Sequence, residues 1–393
     1  MVPAINIFPI GIIGAGTMGT GVCELAVAAN HTVYLYDHDA DNLVKAEQQI
    51  HRYFYGLVQK GRITQSFAED ALSRINYVHE LKALEKSRLV LEAIPESLAA
   101  KQAIIQEVES VVSESSIIAT NTSSLSIASL GGVLKHPERF LGIHFFNPAT
   151  AMALVEVVPG LLTMHGTVQV AMNLIESWGK VPVVSKDTPG FIVNRIVRPF
   201  FSESLRLLEA GESDVATIDW ALKNVGQFKM GPFELLDFVG IDTNWAVSKS
   251  IFEGFFFEPR FRPSLLQARL VESKRLGRKT GAGFYDYAEG VVPPRANENP
   301  EVAERIFNRV FSLIVNEAAD ALTYGVGSKE DIDTAVVKGV NFPQGIFRWA
   351  DSFGIARIVE TLDSLYAQFG EPRYRVCGLL RSMALTQQQF YQD

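Results

Sequence analysis

Two cysteines in 393 residues, Cys23 and Cys377, are too few and too far apart for a disulfide framework or a cysteine-rich zinc site. They suit a reducing compartment, and no metal is expected. Basic charge is also scarce. The 36 Lys and Arg stand against 44 Asp and Glu, a formal charge of −8 with a pI near 5.5. That balance argues against a general nucleic-acid binder, which needs a basic footprint. No apolar run reaches the roughly 18–20 residues of a membrane-spanning helix. The first ten residues lack a basic segment, so they do not read as a secretory signal, and the expected location is the cytoplasm. Charged residues make up only 20% against 47% hydrophobic, which excludes disorder as the main state. At roughly 150 residues per domain, the length suggests two or three domains.

The chain is strongly punctuated. Residues 5–13 form an apolar run rich in β-branched side chains, the composition of a buried parallel strand. The run ends in Gly14-Ala15-Gly16-Thr17-Met18-Gly19. Val22, Leu25, Ala26 and Ala29 then recur at helical spacing, and residues 32–36 make a second strand closed by Asp37. Residues 41–78 read as helical and charged, broken at Gly61. Strands follow at 88–91 and 116–120 with a helix at 98–112 between them, then further strands at 141–144 and 153–158. Such alternation predicts a doubly wound, mostly parallel α/β sheet. After Lys186-Asp187-Thr188-Pro189-Gly190 the pattern turns helical to about residue 257. Residues 291–300 are proline-rich and polar, a linker, and helical pattern resumes at Glu301.

That last segment repeats the one before it. At an offset of 114, Asn194-Arg195 matches Asn308-Arg309, Glu203 matches Glu317, Ile218-Asp219 matches Ile332-Asp333, and Asp237 matches Asp351. Residues 258–262 match 371–375 at an offset of 113. Composition bias would not hold one register across so many residue types. The expected division is a dinucleotide-binding domain at 1–186, a helical domain at 187–290, a linker at 291–300 and a second helical copy at 301–393.

A glycine-rich turn alone is weak evidence. Here it follows a strand, opens a helix, and has an acidic residue 18 positions past Gly19, at the end of the second strand. Gly14 permits the tight turn, Gly16 lets backbone approach a pyrophosphate, and Gly19 lets helix and strand pack closely. The helix start, at Thr17 and Met18, offers unpaired amides to the phosphates. Asp37 would accept hydrogen bonds from ribose hydroxyls and repel a 2′-phosphate, and no Lys or Arg follows before Lys45. The reading is a Rossmann-type unit that binds NAD rather than NADP.

Three polar groups lie beyond that unit: Asn121-Thr122-Ser123-Ser124 after a buried strand, His144 at the end of another, and Glu156 inside the run 154–158. A buried charge needs a partner, and a His–Glu pair would resolve that cost while orienting a base. Taken singly, a strand-end His is more often structural, and Glu156 could instead cap a helix or face water.

The chain resembles the 3-hydroxyacyl-CoA dehydrogenase family. The stretches that carry the likeness are residues 14–21, LVLEAIPE at 89–96, NTSSL at 121–125, GIHFFNP at 142–148 and LVEVV at 154–158. They continue with DTPGFIVNR at 187–195, GPFELLDFVGID at 231–242 and GRKTGAGFYDY at 277–287. The resemblance implies oxidation of the β-hydroxyl of an acyl-CoA, with hydride passing to NAD. It makes His144 the general base and Glu156 its carboxylate partner. Ser123 and Asn194 hold the reacting oxygen or the imidazole, in a cleft between domains. Asn121 joins the cofactor site, and Glu96 lies near the nicotinamide or serves as a helix-start carboxylate. Arg52 and Lys60 are candidates for CoA phosphates, though a solvated helical face is the commoner reading. Lys279 is left between steadying its loop and meeting ligand.

The chain also departs from the pattern. Asn30, Ser87-Arg88, Thr150 and Ala153 differ from frequent family residues, and the last two put acyl size in doubt. In the repeat, Ile346 replaces Pro232 and no counterpart of residues 277–287 is evident. The second copy is expected to be structural, covering the surface that single-copy relatives use to dimerise, so a homodimer or a pseudo-dimeric monomer is expected. A dehydrogenase of a non-CoA 3-hydroxy acid and a non-catalytic scaffold stand as the alternatives.

Overall fold

The computed structural model describes residues 7–391, and the chain divides into two compact units after Asp187. The first unit is one eight-stranded sheet with helices α1 (Thr17–Ala28), α2 (Ala40–Gln59), α3 (Gln65–Ser73), α4 (Leu98–Val111), α5 (Ile127–Gly131) and α6 (His165–Ser177). Its strands are β1 (Ile10–Ile13), β2 (Val33–Tyr36), β3 (Ile75–Val78), β4 (Leu89–Glu92), β5 (Ile117–Thr120), β6 (Phe140–Phe145), β7 (Leu154–Pro159) and β8 (Val181–Val184). They lie in the order β3-β2-β1-β4-β5-β6-β7-β8. All neighbours are parallel except β6 and β7. The central strands are buried throughout because helices cover both faces, which is why they read as continuous apolar runs.

Several expectations need correcting. The first strand begins at Ile10, not residue 5, and residues 5 and 6 lie outside the described residues. Strand β3 sits inside the stretch expected to be helical. Its four residues at the sheet edge, three half-buried and Asn76 exposed, show no apolar signal, and pairing with β2 decides their conformation. Strand β8 carried no expectation. His144 does not end its strand, because β6 runs on to Phe145.

The second unit is all helical. Its first copy contains α7 (Val193–Ile196), α8 (Arg198–Glu209), α9 (Val215–Asn224), α10 (Pro232–Val239), α11 (Ile241–Gly254) and α12 (Leu265–Glu272). The second contains α13 (Pro300–Thr323), α14 (Lys329–Val340), α15 (Ile346–Phe353), α16 (Ile355–Phe369) and α17 (Gly378–Thr386). The two correspond element by element, with α7 and α8 matching the single long α13. Pro199 explains the break, since it has no N–H and crowds the preceding turn. The second copy does keep a counterpart of the glycine-rich tail. Phe284 and Tyr285 donate their amides to Asp237, and Phe390 and Tyr391 donate theirs to Asp351. The tail escaped notice because only a Phe-Tyr pair survives of it.

The copies face each other through reciprocal ion pairs. Arg195 binds Glu317 at 2.6 Å, and Arg309, its repeat equivalent, binds Glu203 at 2.6 Å. Residue i of one copy meeting residue j of the other, and the reverse, is the pattern of a two-fold interface. Among the described residues no helix is long and apolar enough to cross a membrane.

Candidate active site

The glycine turn behaves as its three glycines require. Gly14 has φ +101°, and a Cβ there would lie 2.7 Å from the Ala93 carbonyl oxygen. A Cβ on Gly19 would run into the Gly14 carbonyl oxygen, whereas one on Gly16 would meet only open space. Helix α1 therefore begins against a backbone cradle with room for a ligand, and no side chain caps its first amides. Asp37, buried at the end of β2, accepts from the Ala15 amide at 2.8 Å and the Asp39 amide at 3.0 Å. Its carboxylate ties the turn to β2 and stands beside the cradle. These residues fit a dinucleotide.

His144 and Glu156 come together because the sheet changes direction between their strands. They occupy directly opposed positions of the antiparallel β6–β7 ladder, where opposed Cβ atoms lie about 5 Å apart. His144 Nδ1 and Glu156 Oε2 are 2.7 Å apart, with the histidine 5% and the glutamate 0% exposed. An Nδ1–H donated to the carboxylate puts the basic lone pair on Nε2. Asn121 Oδ1 accepts from the Phe145 amide at 2.8 Å, tying the end of β5 to the strand that carries the histidine.

The Ser123 loop hangs from Glu96. One carboxylate oxygen accepts from Thr122 Oγ1 at 2.5 Å, from the Ser123 and Ser124 amides at 3.1 Å each, and from Ser124 Oγ at 2.9 Å. Burial alone would raise this acid, but the Thr122 bond, the Lys101 charge and the serine bonds outweigh it and hold the carboxyl below its ordinary range. Sequence reasoning missed what lies beneath. Buried Lys101 bonds Glu92 at 2.7 Å and the Ile94 carbonyl at 3.1 Å, with Glu96 at 3.4 Å, and Thr120 donates to Glu92 at 2.6 Å. The available signal was a glutamate closing an apolar strand, which demands a buried cation.

Asn194 lies in α7 of the second unit, its carbonyl bonded to Arg198 at 2.8 Å. Lys279 pairs with Asp242 at 2.6 Å and so fastens its loop to the start of α11. Arg52 is exposed on α2, and exposed Lys60 follows the end of that helix.

Comparison with known proteins settles the family. The profile of the 3-hydroxyacyl-CoA dehydrogenase NAD-binding domain matches residues 9–188, and that of the C-terminal domain matches 190–287 and 306–389. The chain belongs to the 3-hydroxyacyl-CoA dehydrogenase family. As a member it is an NAD-dependent oxidoreductase. It is 36% identical to the 3-hydroxyadipyl-CoA dehydrogenase of Escherichia coli strain K12, over 97% of this chain and 98% of that one. The crystal structure of 3-hydroxybutyryl-CoA dehydrogenase from Escherichia coli K12 is similar at TM-score 0.91 and 37% identity, covering 97% of this chain and 99% of that one. The (S)-3-hydroxybutyryl-CoA dehydrogenase of Ralstonia eutropha is similar at TM-score 0.70 and 35% identity, and its whole length covers 72% of this chain. That family member has room for one helical copy but not two.

Proposed function

We propose that the chain interconverts 3-hydroxyacyl-CoA and 3-oxoacyl-CoA, with His144 as the base. Bound NAD supplies the hydride acceptor, held by Gly14, Gly16, Thr17, Met18 and Gly19 at the phosphates and Asp37 at a ribose. His144 Nε2 takes the hydroxyl proton, and Glu156 steadies the imidazolium that results. In the reverse direction the same nitrogen returns the proton to the forming hydroxyl. Ser123 and Asn194 bind the reacting oxygen or the imidazole. Glu96 and Asn121 border the cofactor and set the Ser123 loop and the His144 strand.

The observation that carries this reading is the buried 2.7 Å contact between His144 and Glu156. A scaffold has no physical need for a buried imidazole held that way beside a dinucleotide cradle. Incubation with 3-hydroxybutyryl-CoA and NAD should produce NADH, read by its absorbance. His144→Ala should lower kcat by about a hundredfold or more, the usual share of a general base. Normal turnover in that variant would overturn the assignment. The reciprocal arginine pairs support a monomer that carries its own pseudo-dimer, and the two free cysteines support a cytoplasmic location.

A further inference from the structure

Among the described residues the fold buries four arginines, and three of them hold a carboxylate. Arg139 holds Glu109 at 3.7 Å, Arg195 holds Glu317 at 2.6 Å and Arg309 holds Glu203 at 2.6 Å. Arg198, at the start of α8 and only 7% exposed, has none. Its Nε donates to the Asn194 carbonyl at 2.8 Å, and its Nη1 donates to Ser248 Oγ at 3.0 Å and Asn244 Oδ1 at 3.4 Å. All three acceptors are neutral. Nη2 donates to nothing among the described residues, and it is not walled off from open space. Burial pushes the guanidinium down to about 10, so at neutral pH it remains a cation. A buried charge without a counter-ion is costly.

The fold itself does not demand this cation. In the second copy the equivalent positions carry Ser312 for Arg198, Ile358 for Asn244 and Leu362 for Ser248. Leu380 stands for Gln267, whose side-chain amide donates to Asn244 Oδ1 at 3.0 Å in the first copy. All four substitutes are wholly buried, so the same junction of helices packs there without charge. The first copy has a polar layer where its structural twin has an apolar one. Arg198, Ser202, Arg262 and Ser264 border a narrow cleft beside that layer. The last three also border a cavity of about 540 Å³. Glu209 on the cavity wall accepts from Ser264 Oγ at 2.8 Å and the Leu266 amide at 2.9 Å, and pairs with no arginine. What the layer lacks is an anion, and a guanidinium is matched to a carboxylate. Arg198 lies four residues past Asn194 and is bonded to its carbonyl, a helical spacing that sets side chains about 5–6 Å apart. Asn194 is the residue read above as holding the reacting oxygen or the imidazole. A few methylenes span that distance.

We propose that Arg198 is a specificity-determining residue whose guanidinium binds a carboxylate at the far end of the acyl chain, so that the substrate is a dicarboxylic acyl-CoA. The proposal rests on the reading of the substrate as an acyl-CoA and deepens it. 3-Hydroxyadipyl-CoA and 3-hydroxyhexanoyl-CoA have acyl chains of equal length and differ in the terminal carboxylate, so their kcat/KM ratio tests it. The unaltered protein should favour the first by at least about tenfold, mainly through KM. Arg198→Met should lower that ratio by about tenfold to a hundredfold. Arg198→Lys, which keeps the charge, should retain more of it. Arg198→Ser combined with Asn244→Ile, Ser248→Leu and Gln267→Leu installs the packing that the second copy already uses, and should lose the preference as well. That variant keeps the test open if Arg198→Met fails to fold. Equal losses for both substrates in Arg198→Met would make Arg198 a support for Asn194 alone and overturn the proposal. Calorimetry with free adipate identifies the source of the anion. Binding that Arg198→Met abolishes, with no preference between the two substrates, would assign the site to a separate anion and overturn the acyl reading. Turnover of both substrates without preference removes only the role of Arg198, whereas no turnover of either removes the substrate assignment and this proposal with it.

Discussion

At the scale of single residues, the site depends on one hydrogen bond between two buried groups. Glu156→Gln preserves shape and an acceptor for Nδ1–H but removes the charge that stabilises an imidazolium. Such a change should lower kcat by roughly a hundredfold, within the range of acid–base contributions, while KM moves only a few-fold. Steady-state kinetics would show this, and a KM effect without a kcat effect would mean that Glu156 only shapes the pocket. Both residues were visible in the sequence as polar groups in apolar runs. Their pairing was expected too, but not the antiparallel register of β6 and β7 that sets them directly opposite each other, which spacing does not reveal. Glu92 and Lys101 escaped altogether, since a lysine in an amphipathic helix looks solvated until the fold buries it.

Glu24 makes a second prediction at this scale. Its acid is raised by burial to about 8, above the ordinary glutamate value. The folded state therefore holds a proton that the unfolded chain has released above about pH 4.3. Its stabilising contribution is complete below that pH and is lost as pH rises through about 8. Thermal melts should show the unaltered protein losing stability relative to Glu24→Gln between pH 5 and 8.5, by on the order of a few kcal/mol. Parallel curves for the two proteins would contradict the burial argument.

At the scale of elements, the glycine turn and β1, α1 and β2 were legible because each local signal agreed with the fold. Where one residue has no alternative, the consequence is sharp. Gly19→Ala would drive a methyl into the Gly14 carbonyl, so α1 must shift off β1. NAD binding, followed by fluorescence quenching, should fall by at least tenfold, about 1.4 kcal/mol. Gly16→Ala, with open space around it, should leave the apoprotein's melting temperature unchanged and weaken NAD alone. The missed strands show the limit of local signals. Strand β3 is a half-buried edge of four residues, and β8 reads Val-Pro-Val-Val with proline inside it. Both exist because a neighbour offers a ladder, which is information held elsewhere in the chain. The paired aspartates Asp219 and Asp333 tell the same story. Each accepts the backbone amide of the residue two past a matching glycine, at Phe233 and Phe347, and each binds a tail tyrosine. The internal repeat was readable residue by residue, but the purpose of its aspartates was not.

At the scale of the whole molecule, the duplication makes a two-fold contact within one chain. Glu203 and Glu317 are almost wholly buried, so each needs its arginine from the other copy. Removing one partner strands a charge, which costs about 3–5 kcal/mol, whereas removing both for apolar groups is often close to neutral. Arg309→Met should therefore lower the melting temperature of the helical unit by roughly 6–20 °C, taking 2–4 °C per kcal/mol for a unit of about 200 residues. Arg309→Met with Glu203→Leu should recover most of that loss, and a double-mutant cycle would expose the coupling. The same geometry predicts what happens when the second copy is cut away after Pro293. The first copy would then show water the face that carries Arg195 and Glu203, each without its partner. Two such chains can satisfy each other by the same reciprocal pairing, so sedimentation should find a dimer, as a self-complementary patch demands. A soluble, active monomer would mean that the second copy is not covering an interface, and that its retained symmetry serves some other end.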